Sequence, residues 1–377
     1  MKGTGMSALP FFDRMLSKRD AASDIRKEHP AICPENTRYE QFERILYPRV
    51  LSSEEVYTKD YLKAAKKAMA KTLKMLPSCS KERTASSEKC LKGIILGDMY
   101  GSPFEFTGGV MPECNIKNIA LQSPGKWTDD TAMTISSLRA VKEIKEKRIS
   151  GAQATERFKA HYRQMAHEYP NLGYGGHFYQ WAVFDTDDPG YISYGNGSAM
   201  RAGIIGAISG SIKECIQLSY LSALPTHAHP EGIKGAVCTA VMTYFACHNA
   251  DKKTLLDTAK VFYPHGARTE EEDSSPLFGY LAPDLGIEEI RALYPKTLSV
   301  TCMESVPLAI SLVLLSETYE DFIKYLSVVP MDADTVGAIG GGMMAAIDAA
   351  DLSGFQIKAQ KDQNKSLPPE MRKLFAL

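Results

Sequence analysis

Two groups of carboxylate and hydroxyl side chains stand out in this chain of 377 residues. The first is Thr128-Asp129-Asp130, and the second is Asp332-Ala333-Asp334-Thr335. Adjacent carboxylates repel each other and are costly to bury unless a cation compensates their charge. Aspartate oxygens and threonine hydroxyls suit hard cations such as Mg²⁺, Mn²⁺ or Ca²⁺. If the two groups face each other, they predict a two-metal site that orients a substrate and polarises a bound water or hydroxyl.

Helix capping is the alternative explanation for both groups, because each precedes a helix predicted from its apolar periodicity. Threonine and aspartate are preferred at the N-cap and in the first turn, where they accept bonds from free backbone N–H groups and complement the helix dipole. Capping is the better interpretation of the first group taken alone. The repetition of the arrangement much further along the chain favours metal binding.

A third acidic element lies in the segment from Ile94 to Phe106, where a helix rich in small residues ends in a Gly-Ser-Pro turn. Asp98 and Glu105 flank that turn. Each residue alone is better interpreted as a polar helix residue or a solvated loop acid. Beside a metal site they become candidates for a ligand and a general acid or base.

The segment from Pro170 to Gly197 contains several glycines among aromatic residues, and we expect a loop whose backbone approaches a ligand closely. A turn that caps a helix beginning near Ser198 is the alternative. His227 and His229 are either zinc ligands or part of a satisfied turn, and no cysteine stands near them in the sequence. Arg201 is expected to form a buried ion pair, with phosphate contact as the alternative.

Apolar residues recur at helical spacing in several windows, whereas strand-like alternation is scarce, so the sequence predicts an all-α fold. The windows are Ala132 to Lys147, Ala152 to Ala166, Met200 to Ser209, Glu231 to His248, Val306 to Ser316 and Val336 to Ala350. A charged, glycine-poor N-terminal extension is expected over residues 1–85, with a helix from Tyr57 to Leu76. The catalytic domain is expected over residues 86–377.

The overall charge favours neither nucleic acid nor an anionic membrane as a partner, because 44 basic and 45 acidic side chains leave a formal net charge of -1. Eight cysteines without a CxxC pair indicate reduced thiols in the cytoplasm. No apolar stretch reaches the roughly 18 residues of a membrane span. Acidic Asp13 follows the weakly apolar N-terminal segment, so no secretory signal is expected.

Five motifs, in order along residues 88–350, resemble the ADP-ribosylglycohydrolase family, the all-α proteins related to the dinitrogenase reductase-activating glycohydrolase. They are Leu96-Gly-Asp-Met-Tyr-Gly-Ser-Pro-Phe-Glu105, Trp127-Thr-Asp-Asp-Thr131, Tyr194-Gly-Asn-Gly-Ser-Ala-Met-Arg201, Thr226-His-Ala-His-Pro230 and Asp332-Ala-Asp-Thr335. Each motif alone is weakly specific, but the ordered set is highly specific. The resemblance implies a compact core of orthogonally packed helices.

The resemblance also implies hydrolysis of the bond between C1″ of an ADP-ribosyl group and a protein side chain, with arginine as the general expectation and two Mg²⁺ or Mn²⁺ ions as cofactors. Ser193-Tyr194 resembles members that act on other linkages. The implied metal ligands are Thr128, Asp129, Asp130, Asp332, Asp334 and Thr335. The implied catalytic residues are Glu105, Asp129 and Asp334. The implied substrate-binding residues are Asp98, Ser193, Tyr194, Gly195, Asn196, Gly197 and His227.

Pro330-Met331 departs from the family pattern, which usually has a Gly-Gly pair before the second acidic motif. Proline fixes its backbone angle and lacks a donor, so a reshaped entry could tilt Asp332 and weaken metal binding. A protein that binds without hydrolysing is then the alternative. Retention of every acidic and hydroxyl ligand position favours activity.

The extension over residues 1–85 is either a helix that stabilises the core or an arm that grips a partner. An arm would suit an ADP-ribosylated protein or a cognate ADP-ribosyltransferase, and the chain would then be an immunity protein that neutralises a toxin by hydrolysis or occlusion. A different metal hydrolase, acting on a small nucleotide-sugar or glycoside, is the third functional class.

Overall fold

The regular structure is helical throughout the part of the chain that the computed structural model describes, namely residues 70, 72–79, 82–105, 107, 116–185, 190–263, 281–282, 285–293, 300–329, 331–348, 351–355 and 367–375. An isolated antiparallel bridge joins Gly195 and Thr301, and no strand is formed within these ranges. The prediction of an all-α fold is confirmed.

Fourteen α-helices have defined bounds in these ranges. The first seven are α1 (Ser87–Gly101), α2 (Asp129–Glu146), α3 (Ala152–Glu168), α4 (Gly176–Tyr179), α5 (Gly197–Met200), α6 (Gly203–Ile208) and α7 (Ile212–Ala223). The others are α8 (Pro230–Cys247), α9 (Lys252–Phe262), α10 (Ile287–Leu293), α11 (Cys302–Leu315), α12 (Tyr319–Tyr325), α13 (Ala333–Ile347) and α14 (Pro369–Phe375). Short 3₁₀ turns cover Ser102–Phe104 and Leu352–Gly354.

Most predicted helical windows match observed helices within a few residues, but two segments differ from expectation. The window from Met200 to Ser209 is split between α5 and α6. The segment from Pro170 to Gly197, expected as a loop, contains α4 and a π-helical turn over Gln180–Phe184. Phe178 and Trp181 are buried there with ring centroids 5.8 Å apart. Burial of these aromatic rings stabilises helical turns in a glycine-rich stretch.

Helix α8 forms the centre of the core, because its side chains from Ile233 onward are mostly apolar and buried on every face. It packs against α5, α6, α7, α9, α11 and α13. Helix α1 packs along α13. This arrangement places the N-terminal ends of α2 and α13 and the C-terminal end of α1 around one location.

The α1–α13 contact is set by glycines on both helices. A Cβ atom at Gly97 would collide with the carbonyl oxygen of Gly337, and one at Gly93 would collide with that of Gly341. The two backbones therefore approach more closely than any larger residue allows. Since Asp98 follows Gly97 directly, this close packing carries it toward the acidic first turn of α13.

The predicted N-terminal extension falls largely outside the described residues. Of the helix predicted from Tyr57 to Leu76, residues 70 and 72–75 are described as helical. Arg83 donates to the carbonyl oxygens of Ala207 and Ser209, and Thr84 N donates to Cys247 O at 2.9 Å. The segment just before α1 is thus attached to the core. None of the described helices has the length and apolar character needed to cross a membrane.

Candidate active site

Asp98, near the end of α1, is completely buried and accepts hydrogen bonds from the segment around the N-terminus of α2. Thr128 donates to it through N and Oγ1, at 3.0 and 2.9 Å. Thr131 donates through N at 3.1 Å and also through its hydroxyl. Because both carboxylate oxygens are occupied and the side chain has no exposed surface, we do not expect the direct substrate contact suggested by the resemblance. Asp98 instead holds the first acidic group in place.

Capping explains part of the first acidic group. Thr128 is the N-cap of α2, and its Oγ1 accepts from Asp130 N at 3.3 Å. Thr128 Oγ1 also lies 3.2 Å from Asp130 Oδ2. The carboxylates of Asp129 and Asp130 are not the caps, so the helix end leaves both groups available for other partners.

Capping explains only part of the second acidic group, in which Asp334 Oδ1 accepts from Thr335 N at 2.9 Å. Asp332 is the N-cap of α13, but its side chain forms no cap hydrogen bond. Its Oδ2 accepts from Asn196 Nδ2 at 2.8 Å instead. Pro330 lies outside the described residues, while Met331 is buried and Asp332 directly precedes the first residue of α13.

The structure brings the two acidic groups together. Thr335 Oγ1, in the first turn of α13, donates to Asp130 Oδ2 at 3.4 Å. Ligand oxygens of Glu105, Asp332 and Asp334 all lie within 4.8 Å of one another. Glu105 is exposed, whereas the two aspartates are buried. The cluster is therefore a buried set of carboxylates with one carboxylate at its solvent-facing edge.

The carboxylates perturb one another strongly. Burial raises the pKa of Asp98 to about 7, and the charge of Asp334 acts in the same direction. Desolvation, followed by the charges of Asp334 and Asp98, raises the pKa of Glu105 to about 7. Burial and the charge of Asp334 also raise the pKa well above the ordinary value for three others, Asp129, Asp130 and Asp332. Without cations, these carboxyl groups therefore hold their protons to higher pH than isolated carboxyl groups do.

The donor set fits hard divalent cations. Asp130 Oδ1 is buried and has no hydrogen-bond partner among the residues that the structure describes. No lysine or arginine among the described residues forms an ion pair with any carboxylate of the cluster. A buried carboxylate oxygen without a donor is unfavourable unless a cation binds it. Carboxylate and threonine oxygens are the ligands that Mg²⁺ and Mn²⁺ prefer.

The glycine-rich loop Ser193–Gly197 is anchored on the segment before α11. Cys302 N donates to Tyr194 O at 2.9 Å, and Asn196 N donates to Val300 O at 3.0 Å. Gly195 N donates to Ser193 Oγ at 3.0 Å. The backbone N–H groups of Gly195 and Asn196 are therefore already used within the protein. We expected the backbone of this loop to approach a ligand closely, and these two N–H groups are not free to bind one.

His227 lies beside this loop. A Cβ atom at Gly197 would be 3.2 Å from its Nε2, which explains why glycine suits that position. The ring Nδ1 lies 2.7 Å from Thr226 Oγ1. His229, by contrast, is the N-cap of α8 and accepts from Glu231 N at 3.1 Å through Nδ1. Each histidine thus has a hydrogen-bonded role, which favours the turn over the zinc interpretation.

Arg201 does not form the ion pair that we expected. It is buried, and its NH2 atom donates to Ser222 O at 3.1 Å and to Thr226 Oγ1 at 2.8 Å. Its guanidinium lies 4.0 Å from the ring centroid of Tyr162. Among the described residues, the Arg201 guanidinium is therefore bound by a carbonyl oxygen, a hydroxyl oxygen and an aromatic ring instead of a carboxylate.

Three residues of the site were missed by sequence reasoning. Thr131 binds Asp98, Thr226 joins Arg201 to His227, and Ser305 Oγ accepts from Asn196 Nδ2 at 3.0 Å. The first two stand inside the quoted motifs, where a hydroxyl beside an acid or histidine is a usable signal. Ser305 stands at the start of the apolar helix α11, and nothing in its sequence context identifies it.

Comparisons with known proteins agree with this architecture. The chain is 29% identical to ADP-ribosylhydrolase ARH3 of Gallus gallus over 214 residues, covering 48% of this chain and 55% of the relative. It is 27% identical to ADP-ribosylhydrolase ARH3 of Homo sapiens over 184 residues, covering 42% and 48%. The matched part is thus about half the length of these relatives.

A solved structure described as an ADP-ribosylglycohydrolase-related protein complex aligns with a TM-score of 0.51 and 20% identity, covering 77% of this chain and 94% of that chain. This similarity concerns the fold. The model of the family ADP-ribosylglycohydrolase matches residues 81–351, which is most of the chain and contains all five motifs. The chain therefore belongs to the ADP-ribosylglycohydrolase family.

Proposed function

We propose that the protein hydrolyses the bond between C1″ of an ADP-ribosyl group and a protein side chain. The observation that carries the proposal is the convergence of the two acidic groups, linked by the contact from Thr335 to Asp130 and left without basic partners among the described residues. Membership of the ADP-ribosylglycohydrolase family supplies the substrate class. In the reaction, the hydroxyl of a water joins C1″ and the acceptor atom receives a proton.

Two divalent cations, Mg²⁺ or Mn²⁺, are the proposed cofactors. The residues that would hold them are Thr128, Asp129, Asp130, Asp332, Asp334 and Thr335. When bound, such cations supply fixed positive charge that orients ribose hydroxyls and polarises a water. Asp98 and Asn196 act behind this set: the first orients Thr128 and Thr131, and the second orients Asp332.

Glu105 is proposed as the residue that moves a proton during hydrolysis. It is the exposed member of the cluster, and its oxygen lies within 4.8 Å of oxygens of Asp332 and Asp334. A carboxylate at the open edge reaches both incoming water and a leaving acceptor, whereas the buried members do not. Proton transfer by a positioned carboxylate is an established means of accelerating glycosidic hydrolysis.

An arginine side chain is the proposed acceptor, on the resemblance of the motif set. Ser193-Tyr194 supports a competing proposal, a serine-linked acceptor, since it resembles members that act on other linkages. The relatives named ADP-ribosylhydrolase ARH3 carry a name that specifies the ADP-ribosyl group and not the acceptor atom.

A release assay tests the function and the acceptor together. The full chain is incubated with proteins ADP-ribosylated at defined arginine or serine positions, with Mg²⁺ or with chelator, and free ADP-ribose is measured. We expect metal-dependent release from the arginine-modified protein, abolished in Asp129→Asn and Asp334→Asn and retained in the surface control Asp257→Asn. Release from neither substrate, or unchanged release in both acidic variants, would reject the proposal.

The same variants separate hydrolysis from binding. A protein that only occludes its partner would protect that partner equally well in Asp129→Asn and Asp334→Asn. Deletion of residues 1–69 tests the predicted arm. Unchanged affinity for an ADP-ribosylated protein or transferase would show that these residues do not bind the partner.

A further inference from the structure

The buried residues Arg201, Thr226 and His227 form a chain of hydrogen bonds with a fixed direction. A guanidinium only donates hydrogen bonds, so in the 2.8 Å contact Arg201 NH2 is the donor and Thr226 Oγ1 is the acceptor. The hydroxyl of Thr226 carries a single proton. Thr226 is completely buried, and the remaining partner of its Oγ1 in the described part of the chain is His227 Nδ1 at 2.7 Å. The Thr226 hydroxyl therefore donates to Nδ1.

The direction of this chain determines the protonation of His227. A ring nitrogen that accepts a hydrogen bond carries no proton, so in the neutral imidazole the proton resides on Nε2. The opposite assignment, with Nδ1–H donating to Thr226, would leave the buried threonine hydroxyl without an acceptor. Burial and the nearby charge of Arg201 lower the pKa of His227 well below its ordinary value, which favours the neutral ring.

Nε2 of His227 lies against the glycine-rich loop. Cβ atoms built at Gly197 and Gly195 would lie 3.2 and 3.6 Å from it, so larger residues at these positions would crowd its N–H. The residue between them, Asn196, binds Asp332 of the acidic cluster at 2.8 Å. The Nε2–H group of His227 therefore lies beside the loop whose Asn196 is hydrogen-bonded to the acidic cluster.

We propose that Arg201 and Thr226 are positioning residues that fix His227 in the Nε2–H tautomer, so that it presents a permanent neutral donor to an acceptor oxygen of the ligand. The choice of ADP-ribose as the ligand rests on the proposed function. The tautomer itself depends only on the hydrogen bonds among these three residues. A donor whose orientation is set before binding loses little freedom when the ligand arrives.

Nitrogen NMR of the histidine rings tests the tautomer directly. In the ¹⁵N-labelled full chain, with His227 signals assigned by comparison with His227→Gln, we expect an unprotonated Nδ1 and a protonated Nε2. Thr226→Ser keeps the hydroxyl and should keep this pattern. Thr226→Val removes it and should give a mixture of tautomers. A protonated Nδ1 in the unmodified chain, or an unchanged pattern in Thr226→Val, would overturn the proposal.

Affinity for free ADP-ribose, measured by calorimetry on the same proteins, gives a second readout. Loss of one oriented hydrogen bond should weaken binding about 3- to 10-fold in Thr226→Val and leave Thr226→Ser within about twofold of the unmodified chain. Equal affinity in Thr226→Val and Thr226→Ser would contradict a role in binding. If Thr226→Val does not fold, the spectrum of the unmodified chain still decides the tautomer. If the release assay fails while the tautomer is as expected, the function is rejected and the hydrogen-bond chain stands.

Discussion

Gly97 and Gly337 lie so close across the α1–α13 interface that a Cβ atom on either one would collide with the backbone carbonyl oxygen of the other. Asp98 follows Gly97, and Asp334 stands one helical turn before Gly337. The separation of α1 and α13 therefore sets the distance between Asp98, which holds the first acidic group, and Asp334, which belongs to the second. A packing contact between glycines is thus a precondition of the acidic cluster.

Substitution of Gly97 by alanine should damage both stability and metal binding. The added methyl group meets backbone that cannot rotate away, so the helices must separate, and we expect a loss of about 1 to 3 kcal/mol in the free energy of unfolding. Thermal unfolding and Mn²⁺ titration measure the two effects. Gly354→Ala is the matched control, because no described residue lies within 4 Å of a Cβ atom at Gly354. Equal behaviour of the two variants would show that the interface tolerates separation.

Removal of the Asp98 carboxylate should destabilise the start of α2. Asp98→Ala leaves the N–H and hydroxyl groups of Thr128 and Thr131 without their acceptor, for a loss of about 3 kcal/mol or more. Denaturant unfolding measures this loss, and Asp257→Ala on the surface is the control that should leave stability nearly unchanged. An Asp98→Asn protein with full stability and metal binding but no affinity for ADP-ribose would instead assign Asp98 to the substrate.

Asn196 should support metal binding without touching the metal. Its amide donates to Asp332 and Ser305, so Asn196→Ala frees the Asp332 carboxylate to rotate. Loss of such an orienting group typically weakens metal affinity about 10- to 100-fold. Calorimetry with Mn²⁺ measures the change, with the exposed Gln153→Ala as control. If affinity is retained in Asn196→Ala, the orientation of Asp332 comes from its backbone alone.

The metal-free protein should lose stability as the pH rises from about 4 to about 7. The pKa of Asp98 is about 7 in the folded protein against an ordinary value of 3.8, so over this interval the unfolded chain has released a proton that the folded protein still holds. Raising the pH through the folded pKa removes up to about 4 kcal/mol from this group alone.

Bound cations reverse this dependence, because they stabilise the charged carboxylates. The difference in melting temperature between metal-loaded and chelated protein should therefore widen with pH. His227, whose pKa is lowered by burial, contributes the opposite slope, but its contribution cancels in the difference. A difference that stays constant between about pH 5 and about pH 8 would mean that no carboxylate of the cluster binds the cations.

The sequence predicted the fold class and the acidic cluster because both leave local signals. Apolar periodicity marked α2, α3, α8, α11 and α13, and adjacent carboxylates marked the starts of α2 and α13. The helical segment Gly176–Phe184 was missed because its glycines indicate a loop, while its stability comes from burial of Phe178 and Trp181. The local periodicity of apolar residues does not predict tertiary contacts of this kind.

The sequence indicated which residues lie in the site more readily than it indicated the hydrogen-bond partner of each residue. For Asp98 and Asn196, which were expected to contact substrate, the structure adds hydrogen bonds that the sequence did not predict, with Thr131 and Asp332 respectively. Arg201 was expected to pair with a carboxylate and instead binds Thr226. Which partner a polar side chain finds depends on residues distant in the chain, such as Ser305, and a single sequence does not specify those distances.

Mn²⁺ titration of chelator-treated protein, followed by electron paramagnetic resonance, tests the central claim that the two acidic groups form one metal site. We predict that the full chain binds two Mn²⁺ ions, that Asp334→Asn loses this binding, and that Asp257→Asn keeps it. Binding by Asp334→Asn equal to that of the unmodified chain, or no binding by the unmodified chain, would contradict the account.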